Sequence, residues 1–507
     1  MKRWPVIICL SLLSILFVYP SAFIYPNDTL PDNNDDRLIA YIIGQVQQNL
    51  INYRPLYYGT FFAPEKNTLT YSDPFITSAV ITLPFRAVTN SPIQIFNIAY
   101  VLGFLLTILS CFILFGYLFR NDWISALATI LFNFSGFHLA YYPHTQLFFL
   151  WPLLLSLYFF LRYLREDRPL FLTLFFFTTT LQMAESLFPV YLLFFATSII
   201  YLSGFPTKSK FISDVKHVLP RLIPFLFVWA FLLFPYLQLR LTFPEAFRSI
   251  RDTANFSLSV DQIFTFFHSW TVIILLIFAF LSFSVMSTQA RSSKIFPTLS
   301  WKIIFFFSLV MSLGPVLKVF GKTFKIFSLP IPLPYTAFYY LFPGFTGFRT
   351  PGRFIVLALL ASVILIGYAL IPIVSGLKTG TKIVFLFLIS SFLFLEADLP
   401  LKAFPVNINM HPVYRQVKAL PENAIILELP IKLWAGPNHE IESIRSLYSL
   451  EHHHRRFNGF SGFASNTWID LVIRIQQNGL DQDNLTRLHL LGITHVIQNN
   501  ILSPLPD

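Results

Sequence analysis

The chain has 507 residues, of which 55% are hydrophobic and only 12% charged, with 60 Phe and a formal net charge of +11. A soluble globular chain carries about a quarter charged residues, so this composition excludes a protein that is water-soluble along most of its length. The positive charge does not point to nucleic acid, because the cations fall in short clusters between apolar runs, the arrangement of membrane topology signals.

In chain order, Met1-Lys2-Arg3 opens an apolar run that reaches about Ile24. A basic start before a hydrophobic core has the form of a signal peptide. The run is long and no small-x-small cleavage site follows, so a retained first helix is expected. A bilayer-crossing helix needs about 20 apolar residues. Such runs lie near 4–24, 92–119, 123–141, 145–163, 169–183, 186–203, 221–239, 269–289, 302–320, 353–375 and 381–398, which predicts a polytopic helical bundle of about eleven spans. The weakest place is 169–203, where Glu185 and Pro189 interrupt the run. Cys9 and Cys111 both fall in apolar runs and form neither a disulfide framework nor a thiolate metal site.

Basic residues set the expected orientation. With the N-terminus cytoplasmic, the short inner loops hold Lys2 and Arg3; Arg120; Arg162, Arg165 and Arg168; Lys208, Lys210, Lys216 and Arg221; Arg291, Lys294 and Lys302; and Lys378 and Lys382. The long outer segments, about 25–91, 240–268 and 321–352, hold most of the acids. Within the first, Leu38 to Ile43 followed by Gln45, Gln47, Gln48 and Asn49 reads as an amphipathic helix along the membrane interface. A second amphipathic stretch covers about Phe75 to Phe85.

From about Leu399 the apolar runs shorten and polar residues become frequent. A helix over His411–Leu420, a strand over Ala424–Leu429, helices near 440–451, 467–478 and 482–491, and a strand over Thr494–Gln498 predict a small α/β domain. The expected division is a transmembrane domain over 1–398 and an extracytoplasmic domain over 399–507.

The run Asp32-Asn33-Asn34-Asp35-Asp36 stands at the outer mouth after the first helix. Carboxylates close to a bilayer are costly unless they face water, a cation or a substrate. One there can act as a general base or as a ligand to a hard cation; the plainer alternative is an N-cap for the following helix. Glu185 invites a functional reading by its depth, although a water-exposed helix break explains it equally. In His452-His453-His454-Arg455-Arg456 the residues are consecutive, which does not suit a zinc site, and a surface patch is expected.

Several segments together carry a family resemblance: Asp35-Asp36-Arg37-Leu38-Ile39-Ala40-Tyr41, Phe61-Phe62-Ala63-Pro64-Glu65 through Tyr71-Ser72-Asp73, Ser135-Gly136-Phe137-His138, His144-Thr145-Gln146, Trp151-Pro152-Leu153, and Pro343-Gly344-Phe345-Thr346-Gly347-Phe348-Arg349-Thr350-Pro351-Gly352-Arg353-Phe354. The chain resembles the bacterial multi-spanning proteins of the glycosyltransferase C superfamily, which includes mannosyl- and arabinosyltransferases. The resemblance implies an enzyme of the bacterial plasma membrane that moves a sugar from a polyprenyl-phosphate donor to a glycan, lipid or protein acceptor on the outer side. It implies a catalytic carboxylate in the first outer loop, Asp35 first and Asp36 second, and an acid at Asp73 that orients the site or binds metal. Arg349 and Arg353 suit the donor phosphate, since an Arg fork matches phosphate oxygens; lipid headgroups are their alternative partners. His144 and Gln146 stand where they could reach phosphate or sugar, with His138 a weaker candidate. The residues admit a divalent cation, Mg or Mn, without specifying its ligands. A transporter or flippase of lipid-linked material, or an inactive scaffold of the same fold, are the alternatives; the first predicts acids buried mid-span and matching halves, which the sequence does not show.

Overall fold

The computed structural model describes residues 4–33, 35–263, 269–285, 298–397, 399–406, 410–433 and 439–506. Lys2, Arg3, Asn34, Arg291 and Lys294, which entered the sequence reading, lie outside these residues. The fold is mostly helical with small sheets, and six helices are long and apolar enough to cross a membrane. That marks the chain as a membrane protein.

The six are Pro92–Phe119, Asp122–Ala140, Thr145–Glu166, Lys208–Thr242, Pro351–Ser375 and Thr379–Glu396. Their main helices are α4 (Pro92–Phe119), α5 (Asp122–Asn133), α6 (Trp151–Glu166), α9 (Lys208–Thr242), α12 (Ile355–Ser375) and α13 (Thr379–Glu396). The other five expected spans also fall on helices, but shorter ones: α1 (Trp4–Val18), α7 (Pro169–Glu185), α8 (Phe188–Ser203), α10 (Trp270–Val285) and α11 (Thr298–Ser312). The weak place at 169–203 resolves into α7 and α8, separated at Ser186 and Leu187.

Burial sorts these helices by solvent. In Pro351–Ser375, 94% of the apolar window is buried, so α12 is the axis of the bundle, packed by α4, α5, α10 and α11. In α9 and α13 the same figure is 6%, although Phe227, Phe231, Phe234, Phe387, Phe392 and Leu395 are all large and apolar. A helix that is apolar on its exposed face has hydrocarbon as its natural solvent. At 1.5 Å per residue α9 is about 52 Å long, well beyond a bilayer core of about 30 Å. It continues far below the expected start at 221.

The segment between the first helix and α4 differs from expectation. Helix α2 (Asp35–Ile51) does not lie along an interface; it is buried from Asp36 to Gln47, between α3 (Ile76–Thr82), α4 and the tail helix α14 (His439–His452). The reason is its polar face, which is satisfied by protein and not by headgroups. Gln47 Nε2 donates to Ala79 O and Thr82 Oγ1, both at 3.0 Å, and Asn49 Nδ2 to Leu56 O (3.1 Å) and Tyr58 O (2.8 Å). Gln48 Nε2 reaches Leu450 O of α14 at 2.7 Å. Gly44 allows the approach, since a Cβ there would stand 2.8 Å from Leu450 Cδ1.

The strands are short. β1 (Thr29–Leu30) pairs antiparallel with β6 (Phe404–Pro405), tying the segment before α2 to the start of the tail. Between α11 and α12 stand two small hairpins, β2 (Lys318–Val319) with β3 (Lys322–Thr323), and β4 (Lys325–Ile326) with β5 (Leu329–Pro330). The tail carries a four-stranded sheet in the order β10-β9-β7-β8, with β7 (Ile425–Glu428) parallel to β8 (Arg455–Arg456) and β9 (His495–Gln498), and β10 (Ile501–Pro504) antiparallel to β9. Helices α14, α15 (Asn466–Asn478) and α16 (Gln482–Leu490) fall where expected; β8 and β10 were not anticipated.

The expected surface patch at 452–456 is also corrected. His452 stacks on Tyr414 and on His454, both histidines are buried, and Arg456 is wholly buried. Arg456 pairs with Glu428 at 3.2 Å and with Glu442 at 3.1 Å, and Arg445 pairs with Glu442 at 2.8 Å. Asn458 completes the network by donating to Glu442 Oε1 at 2.9 Å and accepting from Glu428 N at 2.8 Å. A buried arginine needs such carboxylates, which sequence spacing did not reveal because Glu428 and Glu442 come from β7 and α14.

Candidate functional site

Asp32 Oδ2 accepts the backbone N–H of Asp35 at 2.8 Å. The capping role weighed for Asp35 and Asp36 therefore falls to Asp32, and the two following carboxylates are released to face opposite ways. Asp35 is half exposed and meets His144 Nδ1 at 3.3 Å. Asp36 is fully buried, in the electrostatic field of Tyr19 and Tyr100, and neither of its oxygens meets a hydrogen-bond donor among the described residues.

These surroundings set different protonation states. Burial alone would raise the pKa of Asp35, but the His144 hydrogen bond and the charges of His144, Arg353 and Arg349 bring it below the usual carboxylate value. For Asp36, complete burial and the neighbouring acids Asp32 and Asp35 push the carboxyl well above it. Of the two, Asp35 gives up its proton more readily and Asp36 holds its proton more tightly.

Arg353, in the short 3-10 turn Pro351–Phe354 that leads into α12, links the other predicted residues. Its charge acts on Asp35, Asp73 and Tyr141, and its buried Nε has no hydrogen-bond partner among the described residues. Burial raises the Asp73 carboxyl, while Arg353 and the Ser186 hydroxyl, which donates to Asp73 Oδ1 at 2.8 Å, oppose that rise. Burial likewise pushes Tyr141 up to about 12. Arg349 is exposed and its guanidinium stacks 4.5 Å above the Phe256 ring. The structure thus brings Asp35, Asp73, His144, Arg349 and Arg353 into one electrostatic cluster. Gln146 is buried next to His144, its Oε1 without a partner among the described residues.

Sequence reading missed Tyr141 and Ser186, and also Arg248, which feels the charge of Arg349 and whose backbone N–H donates to Thr346 O at 2.8 Å. Their signal was weak, since each comes from a segment remote in sequence from its partners. His138 is not an interfacial residue; it is buried, stacked on Phe148, with Nδ1 3.1 Å from Asn133 O. Glu185 is not an exposed break. It is buried and accepts Ser78 N (2.8 Å) and Ser78 Oγ (2.6 Å), capping the first turn of α3 from another helix.

Among the described residues, the group spaced to hold a metal is Asp167, Asp214 and His217. It stands at the far end of the 145–166 span from His144, and Lys210 Nζ already sits 2.8 Å from Asp167 and 3.0 Å from Asp214. Among the described residues, no group of three ligating side chains around Asp35 is spaced to hold a metal, and the charge of Arg353 acts on both Asp35 and Asp73.

No curated protein matches the chain. A family model matches residues 8–269, just over half of the chain, a stretch that contains Asp35, Asp36, Asp73, His144 and Gln146 and ends before Arg349 and Arg353. The chain belongs to the family described as a domain of unknown function, DUF6311.

Proposed function

We propose that the chain is a glycosyltransferase of the C superfamily type, which moves a sugar from a polyprenyl-phosphate donor to a glycan, lipid or protein acceptor on the outer side of a bacterial plasma membrane. In this reading all eleven apolar helices cross or enter the bilayer, the N-terminus is cytoplasmic, and residues 399–507 form the extracytoplasmic part. The observation that carries it is the pairing of an ionised, half-exposed Asp35 with His144 at 3.3 Å, beside Arg349 and Arg353.

Displacement at an anomeric carbon requires a base for the acceptor hydroxyl and cations for the departing phosphate. Asp35 supplies the base: its carboxylate takes the hydroxyl proton as the oxygen attacks the anomeric carbon and the C–O bond to the phosphate breaks. His144 orients that carboxylate. Arg353 and Arg349 accept the charge that develops on the leaving phosphate. Asp73, held by Ser186, positions Arg353, and Gln146 is placed to hydrogen-bond a sugar hydroxyl. Asp36 is fully enclosed, so an acceptor hydroxyl reaches it less readily than Asp35. No step is assigned to Mg or Mn.

The alternative reading is a catalytically inactive scaffold, in which the same charges serve only to bind a phosphate headgroup. Transport is disfavoured because Asp35, Asp36 and Asp73 stand outside the six apolar spans, and Asp214, a buried acid within Lys208–Thr242, is held by Lys210 and Tyr163. Sugar transfer from a polyprenyl-phosphate donor, assayed in membranes that contain Asp35→Asn or Asp36→Asn, separates these readings. Loss in the first and retention in the second is expected. Full activity in both variants would overturn the catalytic assignment.

A further inference from the structure

Residues 320–330 are exposed without a break, and they include Phe320, Phe324, Ile326, Phe327 and Leu329. The two hairpins turn through Phe320-Gly321 and Phe327-Ser328, with φ of +48° and +74° in the first and +48° and +67° in the second. Two consecutive positive values define the tight turn whose usual occupants are Asn and Gly. A bulky Phe is strained in that conformation, yet it stands at the tip of both hairpins, 81% exposed at Phe320 and 94% at Phe327. Among the described residues nothing covers either ring, so no packing among them offsets the strain.

The hairpins are nonetheless held in place. Asp261 Oδ1 accepts Phe320 N at 2.6 Å, Ser259 Oγ accepts Gly321 N at 2.9 Å, and Lys318 Nζ donates to Ser257 O at 2.9 Å and Ala254 O at 3.1 Å. Residues 313–350 contain no Asp or Glu, and Lys322 and Lys325 stand exposed between the aromatic tips. This segment emerges at the N-terminal end of the Pro351–Ser375 span, at a boundary of the apolar bundle.

We infer that the paired hairpins 318–330 are a membrane-dipping anchor, with Phe320 and Phe327 inserted among lipid chains and Lys322 and Lys325 on anionic phospholipid headgroups. Aromatic tips flanked by lysines suit a charged bilayer surface, where the rings enter the headgroup boundary and the ammonium groups stay with phosphate. The anchor fixes the height of the adjacent Arg349 and Arg353 relative to the bilayer. It rests on the membrane reading and not on sugar transfer.

The test uses the full chain, with Cys9 and Cys111 replaced by Ala, reconstituted into vesicles and carrying an environment-sensitive NBD label at Phe327→Cys or, as an aqueous control, at Leu490→Cys. Leu490 is 83% exposed at the end of α16. In vesicles containing phosphatidylglycerol, the label at 327 is expected to shift to the blue and to be quenched several-fold more by lipids spin-labelled near the headgroup than the label at 490. The difference should shrink in phosphatidylcholine alone, and in Lys322→Gln/Lys325→Gln. Equal access of aqueous iodide to both positions overturns the inference. So does protection at 327 that rises with the protein-to-lipid ratio, which identifies a second copy as the occupant. Equal insertion in both lipids overturns the role given to the lysines.

Discussion

The chain contains two clusters in which arginines meet carboxylates, and they are built in opposite ways. In the tail, Arg445 and Arg456 face Glu428 and Glu442 deep inside the protein, with Asn458 bridging the two acids. At the mouth of α2, Asp35 is half exposed and meets His144, while Arg349 is exposed and Arg353 keeps a buried Nε without a hydrogen-bond partner among the described residues. A charge that is buried between two opposite charges is fixed in place, because removing one partner leaves the other uncompensated, even though Arg456 Nε, like Arg353 Nε, has no hydrogen-bond partner among the described residues. A charge that is partly hydrated and incompletely paired can still accept a ligand. The first pattern is that of an internal brace and the second that of a binding site.

That comparison can be broken most directly by Arg456→Met. It should destabilise the protein by about 3–5 kcal/mol, since Glu428 and Glu442 lose a buried counter-ion; thermal unfolding in detergent measures this, and an unchanged midpoint would mean the network is not a brace. Arg353→Ala should behave in reverse. It leaves unfolding nearly unchanged and lowers sugar transfer by roughly 10- to 100-fold, the worth of charged hydrogen bonds to a phosphate; a variant that unfolds early but transfers normally would reverse the roles of the clusters.

Smaller effects sharpen the same contrast. Glu185→Ala removes the acceptor for both Ser78 donors and should cost about 1–3 kcal/mol of stability, with no change in the pH profile of transfer. If transfer is lost while unfolding is unchanged, Glu185 belongs to the site after all. His144→Ala should act on pH. Asp35 works as a base only when ionised, so activity is present above its pKa and disappears as pH falls through it. His144 and the arginines hold that pKa down against burial. Losing His144 therefore moves the acid limb of the rate profile to higher pH, and an unmoved limb would show that Asp35 is not the titrating group.

Much of the fold was legible because hydropathy is local. Most of the apolar runs read from the sequence fall on helices, although the run at 302–320 leaves its helix at Ser312 and ends in β2, and the tail helices at 467–478 and 482–491 stand within a residue or so of their expected places. The candidate site was legible in part. Asp35, Asp73, His144, Arg349 and Arg353 were singled out from separate segments and share one electrostatic cluster. Direction was not legible. Asp35 and Asp36 are adjacent and chemically identical, and only the packing of α2 against α4 and Tyr100 turns one outward and buries the other.

The polar face of α2 shows the same limit. Gln47, Gln48 and Asn49 read as an interfacial stripe, because sequence periodicity reports that a face is polar and not what satisfies it. Ala79, Leu56 and Leu450 provide those partners from three other segments. Arg456 in its histidine-arginine run looked like solvated surface for the same reason, until β7 and α14 brought Glu428 and Glu442 to it.

The sequence by itself determined that this is a helical membrane protein, since transfer of apolar side chains from water is additive along the chain and needs no knowledge of neighbours. The tertiary structure decided which charges are paired, which are exposed and which carboxyl gives up its proton more readily. Those properties depend on burial and on distances between residues far apart in the chain, and these exist only once the chain has folded.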